Sequence, residues 1–303
     1  MKEQFKQVFE LLKRSVRKFK LDNPLQLAGT TAFFAIFAMA PLIIIIISVA
    51  GLLLGQEETQ ARLFAEIDQL VGEQSALFLR NIVENFQDTR TSIIGTIVGF
   101  VMFIFISTTF FSVMQRSLNY IWRIQTKPKN NFLRTLYDRL ISFGLILILG
   151  FVMLVSFIID ASKSLFKDFL DENLPVLTVY VVEVGNFIVY FALIMVIVAL
   201  IYRFLPDVHM KWRVTWMGAF ITAILFVIGK FIITLGLKFA DIGAMYGAAG
   251  SLVLILLWVF YSSLIFFFGA EITQQFAKMY SHDIKPKDYA VEFEINEVDR
   301  KAE

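Results

Sequence analysis

The sequence predicts an all-α, polytopic membrane protein: six transmembrane helices, both termini cytoplasmic, and an amphipathic interfacial helix ahead of the first span. Three observations predict it. Of 303 residues, 57% are hydrophobic and only 18% charged, where a soluble domain carries about one-quarter charge. The apolar residues fall in uninterrupted blocks of roughly twenty, the length that matches a hydrocarbon core. Lysine and arginine alternate between rich and poor in the segments that separate those blocks.

Residues 1–24 repeat Phe5, Val8, Phe9, Leu12, Val16 and Phe19 at helical spacing, with Lys6, Lys13, Arg14, Arg17, Lys18 and Lys20 on the remaining face. This pattern predicts a helix in the membrane interface with its basic face toward anionic headgroups. A helix packed on the protein itself would show the same period. No short apolar core with a small-residue cleavage site is present, so a cleavable signal is not expected.

Asp22 or Asn23 offers an N-cap, and Pro24 suits the first helical position. The first span, 25–54, contains no charge, and Pro41 near its middle predicts a kink. Residues 55–92 intersperse Phe64, Ile67, Val71, Phe78, Ile82 and Phe86 among polar residues, which predicts amphipathic helices outside the membrane. The remaining spans are placed at 93–114, 140–159, 177–202, 214–237 and 246–270. Residues 273–303 read as a charged cytoplasmic tail, mobile apart from the alternating stretch Val291–Ile295.

The orientation follows from charge. Lysine plus arginine number seven in 1–24, three in 55–92, six in 115–139, two in 160–176, three within the eleven residues 203–213, one in 238–245 and five in 271–303. Basic-rich and basic-poor segments alternate throughout, and only six spans with both ends inside preserve that register.

Composition also excludes chemistry. The chain has no cysteine and two histidines, His209 and His282, so thiolate sites are ruled out and a histidine metal cluster is not expected. No catalytic, cofactor-binding or metal-binding set is read. There is no G-x-x-x-x-G-K-[ST] loop, and a net charge of +2 suggests no nucleic-acid partner. A nuclease would draw on His209, His282 and Asp283, none of which sits in a carboxylate cluster at helical spacing.

Several motifs in order resemble one family. Asp22-x-Pro24, Leu27-Ala28-x-x-x-Ala32-Phe33-Phe34-Ala35 and Ala40-Pro41-Leu42 open the first span. Asn119-Tyr120-Ile121-Trp122-x-Ile124 follows the second, and Trp216-x-Gly218-Ala219 enters the fifth. Tyr246-Gly247-Ala248-x-Gly250-Ser251, Leu257-Trp258-x-x-Tyr261 and Gly269-Ala270-Glu271 mark the sixth. Together they resemble the YihY/BrkB family of bacterial inner-membrane proteins, once misnamed ribonuclease BN. The resemblance implies a multi-pass protein of the bacterial plasma membrane and carries no catalytic residues with it.

Ionisable groups within spans are functional hypotheses. Glu183 and Lys230 lie at matched depths in the fourth and fifth spans, and Asn186 lies one turn from Glu183. The three form a candidate intramembrane polar site. A Glu183–Lys230 pair would bind polar cargo or fix helix register, or Lys230 would snorkel outward. Arg116, Asn119 and Glu271 form a candidate cytoplasmic-side cluster, with an Arg116–Glu271 contact or a solvated Glu271 as the simplest arrangements. Pro41, Gly243, Gly247 and Gly250 are candidate hinges or close-packing positions. The expected function is transport-type handling of a lipid or another amphipathic envelope component. A proton- or sodium-coupled small-ion or solute transporter and a non-transporting envelope-assembly scaffold are the alternatives. Membrane lipids, a second copy of the chain or an envelope protein are the expected partners.

Overall fold

The computed structural model describes residues 2–88, 93–127, 175–239, 249–280 and 284–295, together with 144, 147, 148, 150–152, 155 and 246. The expected third span, Gly243 and Gly247 lie wholly or largely outside the described residues. The helices are α1 (Lys2–Leu21), α2 (Pro24–Leu54), α3 (Gln56–Val71), α4 (Glu73–Asp88), α5 (Ile93–Ile121), α6 (Pro175–Phe204), α7 (Trp212–Phe239) and α8 (Gly250–Met279). Among the described residues four short strands accompany them: β1 (Ile124–Thr126), β2 (Val208–His209), β3 (Lys285–Pro286) and β4 (Ala290–Glu292).

Four of these helices, α2, α6, α7 and α8, are long and apolar enough to cross a membrane. The 29-residue α5 is a further long apolar helix. Their outward faces carry exposed Phe187, Ile188, Phe220, Ile224, Ile228, Phe231 and Ile232. A contiguous apolar surface of this kind suits hydrocarbon as its solvent.

Local sequence explains the corners. Pro24 opens α2, and the preceding Asn23 adopts φ 50°, ψ 58° without a side-chain cap bond. Asparagine tolerates that left-handed geometry, so Asn23 turns the chain and Asp22 is released for other work. Pro41 lies inside α2, which continues through it. Gly55 and Gly72 turn α2 into α3 and α3 into α4 at φ 85° and 86°. With ψ near the extended value, this is backbone that essentially only glycine occupies.

The α3–α4 pair packs onto the bundle itself, against α2 and α8. Leu63, Phe64, Leu79 and Val83 are buried beside Ile43, Ile47, Ile255 and Val259. The amphipathic period of these helices is legible in the sequence; that their apolar faces are covered by α2 and α8 is set by the packing.

Helix α8 is the centre of the bundle, touching α1, α2, α4, α5 and α7. Its contact with α7 is reciprocal. Gly218 of α7 faces Thr273 of α8, and Gly269 of α8 faces Thr222 of α7. Each threonine donates its hydroxyl to the carbonyl of the glycine one turn earlier on its own helix, both at 2.7 Å. A Cβ at Gly269 would stand 2.9 Å from Tyr202 Oη, and one at Gly218 2.9 Å from Thr273 Cγ2. Small residues allow the backbones to approach where lipid offers no hydrophobic drive for association.

The chain beyond α8 is not a mobile tail over its described part. β4 pairs antiparallel with β1, and β3 with β2. The Lys287 N–H donates to the Asp207 carbonyl at 3.0 Å, and the Phe293 N–H to the Arg123 carbonyl at 3.0 Å. This stitching ties the C-terminal segment across the end of α5 and the α6–α7 turn. We call this the α1 end of the molecule, and the opposite one the hairpin end.

Candidate functional site

Helix α1 presents two faces of different chemistry. Val8, Phe9, Leu12 and Val16 are exposed. Leu11, Ser15 and Asp22 are buried, with Lys18 between them, a seam spaced four, three and four residues apart that turns one side of the helix toward the protein. The sequence had placed Lys18 on the headgroup-facing side. The structure instead inserts it among the ends of α1, α5 and α8.

There the Lys18 ammonium donates to the Ile121 carbonyl at 2.9 Å, to Glu271 Oε2 at 3.0 Å and to Gln274 Oε1. Asp22 Oδ2 lies 3.7 Å from it, and Arg123 donates to Asp22 Oδ1. Gln275 donates to Glu271 Oε1 at 2.8 Å. Asp22 and Glu271 are 0% exposed, so Glu271 is an ion-paired core residue rather than a solvated one. Burial pushes the Lys18 ammonium below the usual lysine range, while Glu271 beside it works the other way. The expected Arg116–Glu271 contact is not formed.

A second polar cluster surrounds Asp207. Asn119 Nδ2 donates to Asp207 Oδ2 at 2.8 Å, and Asn119 Oδ1 accepts the Asp207 N–H at 2.9 Å. Asp207 Oδ1 accepts from Gln115 Nε2 at 3.3 Å and from the Tyr289 hydroxyl at 2.9 Å. Asn119 was read from sequence, but Asp207, Gln115 and Tyr289 were not. Their separation along the chain, from 115 to 289, leaves no local pattern to read.

Beside these clusters, residues of α2 and α5 line a groove of about 490 Å³. Gln26, Leu27, Thr30 and Phe34 form one wall; Thr109, Ser112, Val113 and Arg116 line the other. Gln26, Thr30 and Arg116 are exposed, and among the described residues the Arg116 guanidinium forms no hydrogen bond or ion pair. Thr109 and Ser112 donate back to the carbonyls of Phe105 and Thr108 at 2.6 and 2.8 Å. Their oxygens therefore face the groove as acceptors. The groove thus offers a cation and neutral donors, hydroxyl acceptors, and apolar walls within one space.

The intramembrane residues are placed differently. Lys230 holds its ammonium 4.8 Å from the Tyr190 ring centroid and forms no ion pair among the described residues. Glu183 lies in α6, with its side chain outside what is described; Asn186 is exposed on the same helix. Gly250 is buried at the start of α8. His209 is exposed in β2, His282 and Asp283 lie outside the described residues, and no metal-holding group of three is found among those described.

The known proteins most similar in sequence include several named as membrane proteins. A UPF0761 membrane protein of Idiomarina loihiensis is 28% identical over 236 residues, covering 77% of each chain. One from Alcanivorax borkumensis is 24% identical over 268 residues, spanning 88% of this chain and 60% of that protein. One from Chromobacterium violaceum is 25% identical over 267 residues, spanning 85% and 59%. This chain therefore covers about three-fifths of the length of those last two. No solved structure matches. The family model described as virulence factor BrkB matches residues 15–291, a span running from the buried seam of α1 to β4, and the chain belongs to that family.

Proposed function

We propose that this membrane protein takes up a lipid or another amphipathic envelope component through the lateral groove between α2 and α5. The observation that carries the reading is Arg116, whose guanidinium has no hydrogen-bond or ion-pair partner among the described residues and lines a groove that also holds Phe34, Leu27 and Val113. An amphiphile satisfies both halves of such a groove. Its anionic head takes the guanidinium and the Gln26 and Thr30 donors, its hydroxyl or amine takes Thr109 and Ser112, and its chain lies on the apolar wall.

We place the protein in the bacterial inner membrane with both termini cytoplasmic, which puts the groove in the cytoplasmic leaflet. The exposed Val8, Phe9, Leu12 and Val16 of α1 then enter the interface. Lys6, Lys13, Arg17 and Lys20, all exposed, reach anionic headgroups around them. The reading involves no catalytic residue and no cofactor.

Native mass spectrometry of the detergent-extracted protein tests it. Wild type should retain a defined lipid, and folded Arg116→Gln and Phe34→Ala should lose it. Equal retention in all three would refute the groove as the site. No retained lipid, together with proton or sodium flux in vesicles, would replace this reading with ion or solute transport.

A further inference from the structure

The corner between α6 and α7 belongs to other elements than the groove, which α2 and α5 line, and it carries a pattern of its own. Val208 and Met210 are buried there, while His209 and Lys211 are exposed, the alternation of an extended chain with one face outward. In the β2–β3 ladder His209 stands opposite Lys285. Their side chains therefore leave the same face, with Cβ atoms about 5 Å apart. Arg213 follows, exposed in the first turn of α7. Every exposed charged or titratable side chain of β2, β3, the link from β2 to α7 and the first turn of α7 is thus basic. The one acid in residues 203–215 is Asp207. It is 2% exposed and turned inward onto Gln115, Asn119 and Tyr289, so its carboxylate faces the protein rather than these cations. The next exposed acid along the C-terminal segment, Asp288, lies in the turn between β3 and β4.

Exposed aromatic residues adjoin the cations. Trp212 and Trp216 are 45% and 39% exposed, and their rings stack at 6.3 Å. Arg203, at the end of α6, holds its guanidinium 5.2 Å from the Trp212 ring centroid. Phe204 meets the same ring edge-on at 6.2 Å. Beyond the indoles the exposed residues of α7 continue in four-residue steps through Phe220, Ile224 and Ile228. Along the α7 axis this side of the molecule therefore changes in order. Cations stand at the corner and indoles within about 6 Å of the start of α7; purely apolar side chains run from about 12 to 24 Å. A bilayer leaflet has the same order: charged headgroups, an interface in which indole concentrates, then hydrocarbon. A soluble polyanion would satisfy the cations and leave the apolar continuation unmet.

We infer that the α6–α7 corner is a selective site for anionic phospholipid, with His209, Lys211, Arg213 and Lys285 on the phosphate-bearing headgroup and Trp212 and Trp216 against the glycerol and carbonyl region below it. The ammonium and guanidinium groups supply charge-assisted hydrogen bonds, and the His209 imidazole adds an N–H donor beside Lys285. The site is composite: Lys285 reaches it only because β3 of the C-terminal segment pairs with β2. It requires the membrane placement of α7, which its length and apolar composition support, and does not require the groove to bind anything.

The indoles are their own reporters. Of the four tryptophans, Trp122 is buried and Trp258 partly buried, so Trp258→Phe leaves Trp212 and Trp216 as the lipid-accessible pair. The full chain in that background is reconstituted in mixed phosphatidylglycerol and phosphatidylcholine vesicles, with one lipid or the other carrying brominated acyl chains that quench an adjacent indole. At equal mole fraction, brominated phosphatidylglycerol should quench more strongly, corresponding to a preference of about tenfold for the anionic lipid. Lys211→Gln and Lys285→Gln should each lower that preference about two- to fivefold, the scale of one basic residue at an anionic surface, and Lys285→Arg should keep it. Each variant is first shown to be folded by its melting profile. If Lys285→Gln unseats the C-terminal segment, Lys211→Gln, which lies outside the ladder, carries the test. Arg116→Gln should leave the preference unchanged, so failure at the groove and failure at the corner are read separately. Equal quenching by the two brominated lipids, or a preference that survives Lys211→Gln and Lys285→Gln together, would overturn the inference. If an added RNA oligonucleotide shields the indoles while the two lipids quench alike without it, the corner binds a soluble polyanion and the lipid site is likewise overturned.

Discussion

Lys18 and Glu271 are unequal partners, and the inequality can be measured. Changing Lys18 to Met leaves the Glu271 carboxylate 0% exposed, with Gln275 as its remaining donor. An uncompensated charge buried by loss of its partner costs about 3–5 kcal/mol. Changing Glu271 to Gln keeps the shape and removes the charge. Lys18 then retains the Ile121 carbonyl, Gln274 and the nearby Asp22, and its side chain is 19% exposed. That loss should be about 1–3 kcal/mol, the scale of a weakened charge-assisted hydrogen bond. Unfolding of the purified protein in detergent, followed by fluorescence-detected size exclusion, should therefore show Lys18→Met falling roughly twice as far as Glu271→Gln. At about 2–4 °C per kcal/mol for a chain of this order, the difference is readily resolved. The double variant should lose less than the sum of the singles, because neither stranded charge remains. A larger loss for Glu271→Gln, or strict additivity, would refute the reasoning that α1 is held by burial of this pair.

Three further outcomes follow from the same geometry. Gly269→Ala brings a Cβ to 2.9 Å from Tyr202 Oη and against Thr222; it should cost about 1–3 kcal/mol by overpacking, and adding Thr222→Ala should recover part of it in the same melting assay. Tyr289→Phe removes one donor from Asp207 and should cost about 1 kcal/mol; amide exchange should quicken in residues 284–295 while α7 and α8 stay protected. Because burial sets the folded pKa of Lys18 below 10.5, the unfolded chain binds more protons across that interval. The contribution of this group to stability therefore rises as pH climbs through it and is least favourable below the folded pKa. Melting curves taken toward pH 10.5 should narrow the gap between wild type and a Lys18→Met, Glu271→Leu double variant if that double variant is the more stable below it, and a gap that widens would contradict the sign.

Membrane character and the apolar stretches of α2, α6, α7 and α8 were legible in the chain, though α8 continues nine residues past the expected end at 270. Hydrocarbon thickness and helix period impose patterns that repeat every few residues, so local sequence is enough to see them. Family membership was legible too, through motifs whose reasons the structure now supplies: Asp22 sits in the Lys18 network, Asn119 on Asp207, and Gly218 and Gly269 at the α7–α8 contact. Partner choice was not legible. Glu271 was matched to Arg116 because both lie at the same end of the bundle, yet a basic residue on a helix outside the spans reaches it first. The groove, the Asp207 cluster and the Lys230–Tyr190 contact are likewise built from residues far apart in the chain. Periodicity shows which face of a helix is apolar. Which neighbour covers that face, and which buried charge meets which, is decided only when the helices pack, since desolvation and hydrogen-bond geometry act over a few ångströms of space and not along the chain.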